Sequence, residues 1–337
     1  MDDAIWTALA AAAPDREVAT VEEPGGSANP GNRTVRVRFV DGETAYLKVA
    51  VDGNRTRLAG AAATIRYADD RNGDGRNADE RTGVRVPRVL AADADADPPY
   101  LLTAPLSGSP VDREWAAGSV DERTDLIEAV GGALAGVHAT RFDEVGRIVG
   151  GDGEDLTVET AAWPDVVAGM IDEDGETDGG RFDGFPGRAA DAVEAHRAAL
   201  GLDVSGGDVP APALLHNDPR PENSFAGSDD VGFIDWEQAM VGDPVLDIVK
   251  TEGRFLGRPD IEGRERLRGG LWDSYRSVGG GLPAGFDLRR RVYRVVTFLG
   301  VASGFDEWAP GVDEPTEELA GWVRSEFDER LDRLAEC

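Results

Sequence analysis

The segment LLHNDPRPENSF, residues 214–225, sets a polar stretch with two prolines directly after a pair of leucines. Pro219 and Pro221 fix their own φ angles and bias the residues before them away from helix, which favours a stiff loop. Such a loop holds the side chains of Asp218 and Asn223, five residues apart, in fixed positions. The apolar pair before it is typical of a strand that ends in the core. The segment therefore predicts a rigid loop that presents a carboxylate and an amide.

A second segment, VGFIDWE at residues 231–237, follows the turn-forming residues GSDD. Its apolar start predicts a short strand, which delivers the carboxylate of Asp235 twelve residues beyond Asn223. Together with Asp218, these side chains supply two oxygen ligands for a hard cation and one further carboxylate. Because Mg²⁺ binds a few protein oxygens together with substrate phosphates, the set predicts a magnesium site.

The two segments together resemble those of the protein-kinase-like superfamily. HNDPRPEN is similar to the catalytic loop, H-x-D-x-x-x-x-N, and GFIDWEQAMVGDPVLDI resembles the segment of aminoglycoside phosphotransferases and choline kinases, which has IDWE where protein kinases have DFG. The resemblance extends over about residues 17–335. It implies an α+β, two-lobed, protein-kinase-like fold, in which a small antiparallel sheet lobe with one helix precedes a larger, mainly helical lobe.

The resemblance also implies roles for the residues of both motifs. Asp218 would accept or orient the proton of an acceptor hydroxyl, while Asn223 and Asp235 would hold a Mg²⁺ ion that bridges the phosphates of ATP. Arg220 would stabilise the charge of the transferring phosphoryl group; the alternative is a surface arginine paired with nearby acids. For His216, a structural bond to the backbone beside Asp218 is favoured over a role as catalytic base.

The residues GDPVLD, which follow the second motif, predict the start of a helix. Asp243 is a good N-cap, and Pro244 occupies the first helical position, where its missing N–H costs nothing. Asp247 then falls in the first turn. The resemblance implies that this region supports the catalytic loop, so both aspartates are interpreted as structural.

Lys48 lies in AYLKVA, on the second strand of a hairpin that the alternation in TVRVRFVDGETAYLKVAV predicts, with its turn at Asp41. It corresponds to the strand lysine that contacts the α and β phosphates of ATP in the similar kinases. The alternative is an exposed strand lysine, although every base except Lys48 and Lys250 is arginine. The usual partner is a glutamate on the next helix, but RTRLAGAAATIRYADD has no acid before Asp69. The partner is therefore left open: a carboxylate from elsewhere, nucleotide phosphates alone, or impaired activity.

Two further stretches of the N-terminal part are candidate nucleotide contacts. The glycine-rich turn PGGSANPGNRTVRV would let backbone amides approach phosphates. The stretch YLLTAPLSG lies where the resemblance implies an adenine-binding connection between the lobes. The candidate residues are Gly26, Ser27 and Asn29 in the turn, and Leu102, Thr103 and Ala104 in the connection.

The hydrophobic pattern changes from period two to helical spacing in the second part of the chain. SVDERTDLIEAVGGALAGVHAT predicts a helix behind a cap at Ser119 or Asp121. This change predicts two domains: a nucleotide-binding lobe over residues 1–106 and a catalytic and substrate-binding helical lobe over residues 107–337. Within the second domain, the acidic, glycine-rich residues 150–157 predict a surface loop.

Acids outnumber bases by 65 to 35, which gives a formal net charge of −30. Nucleic acids and anionic membranes are polyanions, so this charge argues against both as partners. An acid excess over the whole chain, with arginine as nearly every base, is typical of a protein adapted to high salt, where repulsion is screened. The alternative is ordinary acidity combined with a GC-rich coding bias.

The sequence also bears on location. Its first residues, MDDAIWTALAAAAPDREVATVEE, lack the basic start and the apolar run of a signal peptide. No stretch approaches the roughly 18 apolar residues that a membrane-spanning helix needs. The single cysteine, Cys337, is the last residue, which excludes an intrachain disulfide. We expect a cytoplasmic protein that binds no membrane.

The stretch DDRNGDGRNADER has a partial calcium-loop pattern. Asp70, Asn72, Asp74 and Gly75 match the start of such a loop, but the closing acid, Glu80, comes at position eleven instead of twelve. A solvated acidic insertion is the favoured interpretation of these residues.

We expect an ATP- and Mg²⁺-dependent phosphotransferase that moves the γ-phosphoryl group to a hydroxyl of a small molecule. One alternative is a nucleotide-binding pseudokinase that regulates a partner, which the missing helix glutamate favours. The other is a protein serine/threonine kinase, although no APE segment follows Asp235. The acceptor itself is not predicted, but it would bind among residues 150–200 and 250–310. Three tryptophans there are either lining residues or ordinary core: Trp163, Trp272 and Trp308.

Overall fold

The computed structural model describes residues 3–24, 31–73, 83–175, 180–203, 209–228, 230–257 and 261–336. The candidate phosphate contacts Gly26, Ser27 and Asn29 lie outside the described residues, as does most of the calcium-loop pattern, residues 74–82. The roles assigned to them from the sequence therefore stay predictions.

The N-terminal part consists, in chain order, of α1 (Asp3–Ala12), β1 (Val18–Glu22), β2 (Asn32–Phe39), β3 (Thr44–Ala50), α2 (Arg55–Gly73), β4 (Val89–Asp93) and β5 (Tyr100–Thr103). The strands form an antiparallel sheet in the order β1-β2-β3-β5-β4. The predicted hairpin joins β2 to β3, with Val35 opposite Leu47, and the Glu43 N–H donates to Asp41 Oδ1 in its turn.

One face of this sheet is covered by α1. Ile5 and Leu9 of α1 are buried together with Val37 and Leu47 of the sheet in a small apolar core. The sequence pattern did not single out α1, because its run of alanines gives little contrast between an apolar and a polar face.

The C-terminal part is mainly helical, as predicted. A capping box at Ser119 starts its second helix: the Ser119 hydroxyl accepts from the Glu122 N–H, and the Glu122 carboxylate accepts from the Ser119 N–H. In the described ranges no helix combines the length and the apolarity needed to cross a membrane. The helices are α3 (Val111–Ala117), α4 (Val120–Val137), α5 (Trp163–Gly175), α6 (Gly184–Ala195), α7 (Pro244–Leu256), α8 (Arg264–Gly279), α9 (Phe286–Val296), α10 (Leu299–Ser303), α11 (Phe305–Trp308) and α12 (Thr316–Ala335).

Short strands lie among these helices: β6 (Ser109–Pro110), β7 (Gly146–Gly151), β8 (Leu156–Thr160), β9 (Ala213–Leu215), β10 (Ser224–Ala226), β11 (Val231–Phe233) and β12 (Met240–Gly242). They form one sheet in the order β11-β10-β6 and another in the order β8-β7-β12-β9. HNDPRPEN begins directly after β9, and IDWE begins directly after β11. A backbone hydrogen bond from Ile234 N–H to Asn223 O, 2.9 Å, joins them directly.

Half of residues 150–157, predicted to be a surface loop, belong instead to the strands of the β7–β8 hairpin. The central residues 152–155 form its turn, in which Asp152 Oδ1 accepts from the backbone N–H groups of Glu154 and Asp155. The hairpin packs so closely against α2 that a Cβ at Gly60 would lie 2.3 Å from the carbonyl oxygen of Ile148. Only glycine permits this approach. Most buried apolar residues of α2 belong to the large core of the helical part and not to the small core of the sheet.

Candidate active site

Asp218 lies on the loop that follows β9, in a partly buried position where its side chain is 15% exposed. Asn223 fixes it from the far end of the loop, because its Nδ2 donates to both the backbone O and the Oδ2 of Asp218 at 3.1 Å. Pro221 starts the single 3-10 turn that carries Asn223 to this point. The predicted rigid loop is therefore present, and its carboxylate and amide are in direct contact.

His216, at the start of the same loop, is fully buried and supports the loop from the protein interior. Its Nδ1 accepts from the Asp218 N–H at 3.2 Å, so its Nε2 carries the proton that it donates to the Ile234 carbonyl at 2.9 Å. Burial lowers the pKa of His216 despite the carboxylates around it, which keeps the ring neutral. With both ring nitrogens bonded to the backbone, the geometry supports the structural role and not that of a base.

Asp247 of α7 anchors the backbone of the catalytic loop. Its carboxylate accepts from the N–H of His216 at 2.7 Å and from the N–H of Asn217 at 2.8 Å, and it lies 3.2 Å from His138 Nε2. Burial alone would raise the pKa of Asp247, but the hydrogen bond from His138 and the surrounding positive charge hold it below its usual value. The strained backbone of Asn217, with φ 66°, is stabilised by this anchor.

Lys48 reaches from the sheet to the second motif. Its Nζ donates to Asp235 Oδ1 at 2.6 Å and to Glu237 Oε2 at 2.7 Å. Asn32 Nδ2 donates to the same Glu237 oxygen at 2.7 Å. Burial would lower the pKa of Lys48, yet the two carboxylates outweigh it and raise the pKa, so the ammonium stays charged. The partner that the sequence left open is thus a carboxylate from elsewhere, and sequence reasoning missed Glu237 even though it stands within IDWE.

The donor atoms between the two motifs fit a magnesium ion. Because Asn223 donates to Asp218 through Nδ2, its Oδ1 is the amide atom suited to binding a cation. Burial would raise the pKa of Asp235, but the charge of Lys48 lowers it and keeps the carboxylate ionised. Within the described ranges no cluster of three acidic, histidine or cysteine side chains could hold a metal by itself. Two protein oxygens that need phosphate oxygens to complete the shell are what Mg²⁺ commonly uses.

Two arginines flank the Asp218 carboxylate. Arg220 Nε lies 3.1 Å from Asp218 Oδ2, and Arg254 Nη2 of α7 lies 3.6 Å from Asp218 Oδ1. Their side chains are 38% and 57% exposed, so both guanidinium groups reach the cleft from solvent. Sequence reasoning missed Arg254; its signal is the spacing from Asp247, which puts both side chains on the same face of α7 two turns apart.

The candidate adenine contacts lie at the end of β5, beside the strand of Lys48. Leu47 pairs with Leu102, and the Leu102 side chain is buried in the small core, which leaves only its backbone for a ligand. The Ala104 N–H already donates to Arg88 O at 2.9 Å. Thr103, which pairs with Tyr46 and Val89, is half-buried at the edge of this strand pair.

A cavity of about 480 Å³ lies next to the catalytic loop. It is bounded by α2, the β7–β8 hairpin, the second motif, α7 and the end of α9. None of the three candidate tryptophans is among the described lining residues. Each donates its indole N–H within the protein: Trp163 to Tyr293, Trp272 to Glu252 and Trp308 to Val301. The lining residues are Asn54, Thr56, Arg57, Arg147, Ile148, Glu159, Met170, Asn217, Glu237, Gln238, Ala239, Met240, Leu246, Lys250, Val296 and Thr297.

Solved structures share this architecture at low sequence identity. The choline kinase LicA from Streptococcus pneumoniae is 12% identical with a TM-score of 0.58, over 98% of both chains. The macrolide 2'-phosphotransferase MphH from Brachybacterium faecium is 18% identical with a TM-score of 0.54, over 95% of this chain and 97% of that one. A structure of LicA in complex with AMP is 13% identical with a TM-score of 0.59, over 98% and 97%. These similarities confirm the protein-kinase-like fold.

Sequence comparison identifies the family but not a particular relative. No curated protein matches the chain in sequence. The model of the phosphotransferase enzyme family, APH, matches residues 27–289, which is most of the chain and includes Lys48 and both motifs. The chain therefore belongs to the phosphotransferase enzyme family, and it is by that membership an enzyme.

Proposed function

We propose that the enzyme transfers the γ-phosphoryl group of ATP, with Mg²⁺, to a hydroxyl of a small molecule. The observation that carries this proposal is a continuous chain of contacts across the cleft. Lys48 Nζ donates to Asp235 Oδ1 at 2.6 Å. Ile234, the residue before Asp235, donates its backbone N–H to Asn223 O at 2.9 Å. Asn223 Nδ2 in turn donates to Asp218 Oδ2 at 3.1 Å. A phosphate-binding lysine, two cation ligands and a carboxylate base are thereby held in one place. The LicA complex with AMP supports a nucleotide as the second substrate.

In the proposed reaction, Asp218 accepts the proton of the acceptor hydroxyl while the oxygen of that hydroxyl forms a bond to the γ phosphorus of ATP. The bond from that phosphorus to the β–γ bridging oxygen breaks, and ADP leaves with the electron pair. Arg220 and Lys48 stabilise negative charge on the transferring group and on the nucleotide phosphates. A Mg²⁺ ion held by Asn223 and Asp235 would neutralise part of the phosphate charge.

The proposed division of labour follows the two parts of the chain. Residues 1–106 would bind the nucleotide, with Lys48 on its phosphates, and residues 107–337 would carry the catalytic loop and bind the acceptor. The remaining proposed nucleotide contacts are Gly26, Ser27 and Asn29 for the phosphates, and Leu102, Thr103 and Ala104 for the adenine.

The setting of the enzyme is proposed from its substrates and its charge. We place it in the cytoplasm, where ATP and Mg²⁺ are available, with no nucleic-acid partner. The net charge of −30 supports adaptation to high salt. On that basis the melting temperature should rise strongly between low and molar KCl, and an unchanged value would contradict salt adaptation without touching the proposed reaction.

The direct test is ADP formation from ATP in the presence of hydroxyl compounds, with and without Mg²⁺. We expect ADP to form faster than in the acceptor-free control only when Mg²⁺ and a suitable acceptor are both present. Nucleotide binding without acceptor-dependent ADP would favour the pseudokinase alternative. The pseudokinase alternative is favoured by the lack of a glutamate on the helix after Lys48. Glu237 supplies a carboxylate to Lys48 instead, so this alternative loses support.

A further inference from the structure

The only two lysines of the chain both lie at this site. Lys48 is described above; Lys250, on α7, donates from Nζ to the Asn217 carbonyl at 3.0 Å and to Asn217 Oδ1 at 2.7 Å. Asn217 immediately precedes Asp218. One ammonium group is therefore held within one residue of the proposed base, in a chain where arginine supplies nearly all positive charge.

Lys250 is the middle member of a row of charged groups on α7. Asp247 bonds to the backbone of His216 and Asn217, Lys250 bonds to Asn217, and Arg254 approaches Asp218. The spacing puts these side chains on one face of the helix. This face runs along the catalytic loop, so Lys250 lies between the loop and the cavity that Asn217 and Lys250 both line.

The described lining of the cavity carries more bases than acids, although the chain as a whole is acidic. This described lining contains three bases and two acids: Arg57, Arg147, Lys250, Glu159 and Glu237. Glu237 bonds to Lys48 at 2.7 Å, and Glu159 stands opposite Arg147 in the β7–β8 register. Each acid thus already faces a base, and the lining keeps an excess of one positive charge although the whole chain carries −30.

Local charge, and not the net charge of the chain, decides which ligand this cavity prefers. At molar salt the Debye length is about 3 Å, so the acids on the outer surface contribute little inside the cavity. Partly buried charges are screened much less by salt than exposed ones. A cationic acceptor would be repelled by the bases of the lining, and an anionic acceptor would be attracted by them.

We propose that the acceptor is an anion: a small hydroxyl compound with a carboxylate or phosphate group that binds beside Lys250 and Arg57. This inference rests on the proposed phosphoryl transfer and names its substrate class. A cavity of about 480 Å³ suits a compact metabolite. The hydroxyl would reach Asp218 from the wall that Asn217 shares with Lys250, while the anionic group stays among the bases.

The test measures binding and turnover separately, in one KCl concentration, with matched compounds of different charge. Calorimetry with Mg²⁺ and a non-hydrolysable ATP analogue would compare glycerate and gluconate, glycerol 3-phosphate and glucose 6-phosphate, glycerol and glucose, and ethanolamine and glucosamine. We expect at least one anionic compound to bind about tenfold or more tightly than its neutral and cationic counterparts. Comparing the affinities of glycerate and gluconate with those of glycerol 3-phosphate and glucose 6-phosphate shows whether the site prefers a carboxylate or a phosphate. Equal or weaker binding of every anionic compound, including no binding at all, would overturn the inference.

Variants of Lys250 separate ligand binding from support of the loop. Lys250→Gln should weaken the preferred anion about tenfold, and Lys250→Arg should retain most of the affinity. Arg276→Gln, which removes a surface base that pairs with Asp273, is the control and should change nothing. If Lys250→Gln lowers kcat equally for all acceptors and leaves anion affinity intact, the residue is structural and the inference fails. Anion binding without ADP formation would instead contradict the proposed function and leave the anion site standing.

Discussion

The two sides of the cleft are held together by different kinds of contact. On the sheet side, Lys48 is held by the carboxylates of Asp235 and Glu237. On the helical side, the loop around Asp218 is held by buried hydrogen bonds from its backbone to Asp247 and His216. Ion pairs between side chains can be exchanged for contacts to phosphates and a cation, whereas a backbone bonded to a buried carboxylate cannot move cheaply. We therefore expect the contacts of Lys48 to rearrange when a nucleotide binds and the loop around Asp218 to stay fixed.

The largest effect is expected on the sheet side. Lys48→Met should reduce kcat/KM for ATP by about 10²-fold to 10³-fold, because the loss of one positioned charge on the phosphates costs about 3–4 kcal/mol of the barrier. Steady-state kinetics with ATP as the varied substrate would measure it. A decrease of less than about threefold would mean that Lys48 does not contact the phosphates.

Glu237 should show a smaller effect of the same kind. Glu237→Gln keeps the shape of the side chain but removes the charge that orients Lys48, so kcat/KM for ATP should fall about tenfold. Glu265→Gln, which removes an exposed acid of α8 paired with Arg268, is the matched control. Equal kinetics in the two variants would show that Asp235 alone positions Lys48.

Asp247 should instead affect stability. Asp247→Asn places an amide against the N–H groups of His216 and Asn217 and removes two charge-assisted hydrogen bonds, so the free energy of unfolding should fall by about 2–3 kcal/mol. Urea unfolding at fixed KCl would measure this change. If Glu237→Gln destabilises the protein as much as Asp247→Asn, the catalytic loop is not the more rigidly held side.

The smallest effect concerns pH. Burial lowers the pKa of His216 in the folded state, against the opposing charges of Asp247, Asp218 and Asp235. Its contribution to stability is therefore complete above about pH 6.5, the value in the unfolded chain, and is lost as pH falls from there toward the lowered folded value. The free energy of unfolding should decrease from pH 7 to pH 5, and His216→Gln should reduce that decrease. His196→Gln, near the end of α6, is the control; the same pH slope in both variants would contradict the prediction.

The local parts of the site could be predicted from sequence and the long-range parts could not. The prolines and polar residues of 214–225 determine the loop through their own backbone preferences, so Asp218 and Asn223 were identified together. The partner of Lys48 could not be found in this way, because Glu237 is 189 residues away and only the folded chain joins them. The glycines and acids of residues 150–157 are typical of a turn and correctly predict residues 152–155, but they do not reveal the strand pairing on either side of that turn. Arg254 was overlooked because a surface arginine on a helix carries no signal until the loop beside it is known.

The most direct test of the proposed chemistry is the Asp218→Asn variant, assayed with ATP labelled at the γ phosphate and an acceptor that the wild-type enzyme uses. The isosteric amide keeps a partner for Asn223 but cannot accept the hydroxyl proton. We predict that transfer of label to the acceptor falls by about 10²-fold or more, while nucleotide affinity, measured by calorimetry with Mg²⁺ and a non-hydrolysable ATP analogue, stays within about twofold of wild type. Near-normal turnover in this variant would contradict the assignment of Asp218 and, with it, the proposed mechanism.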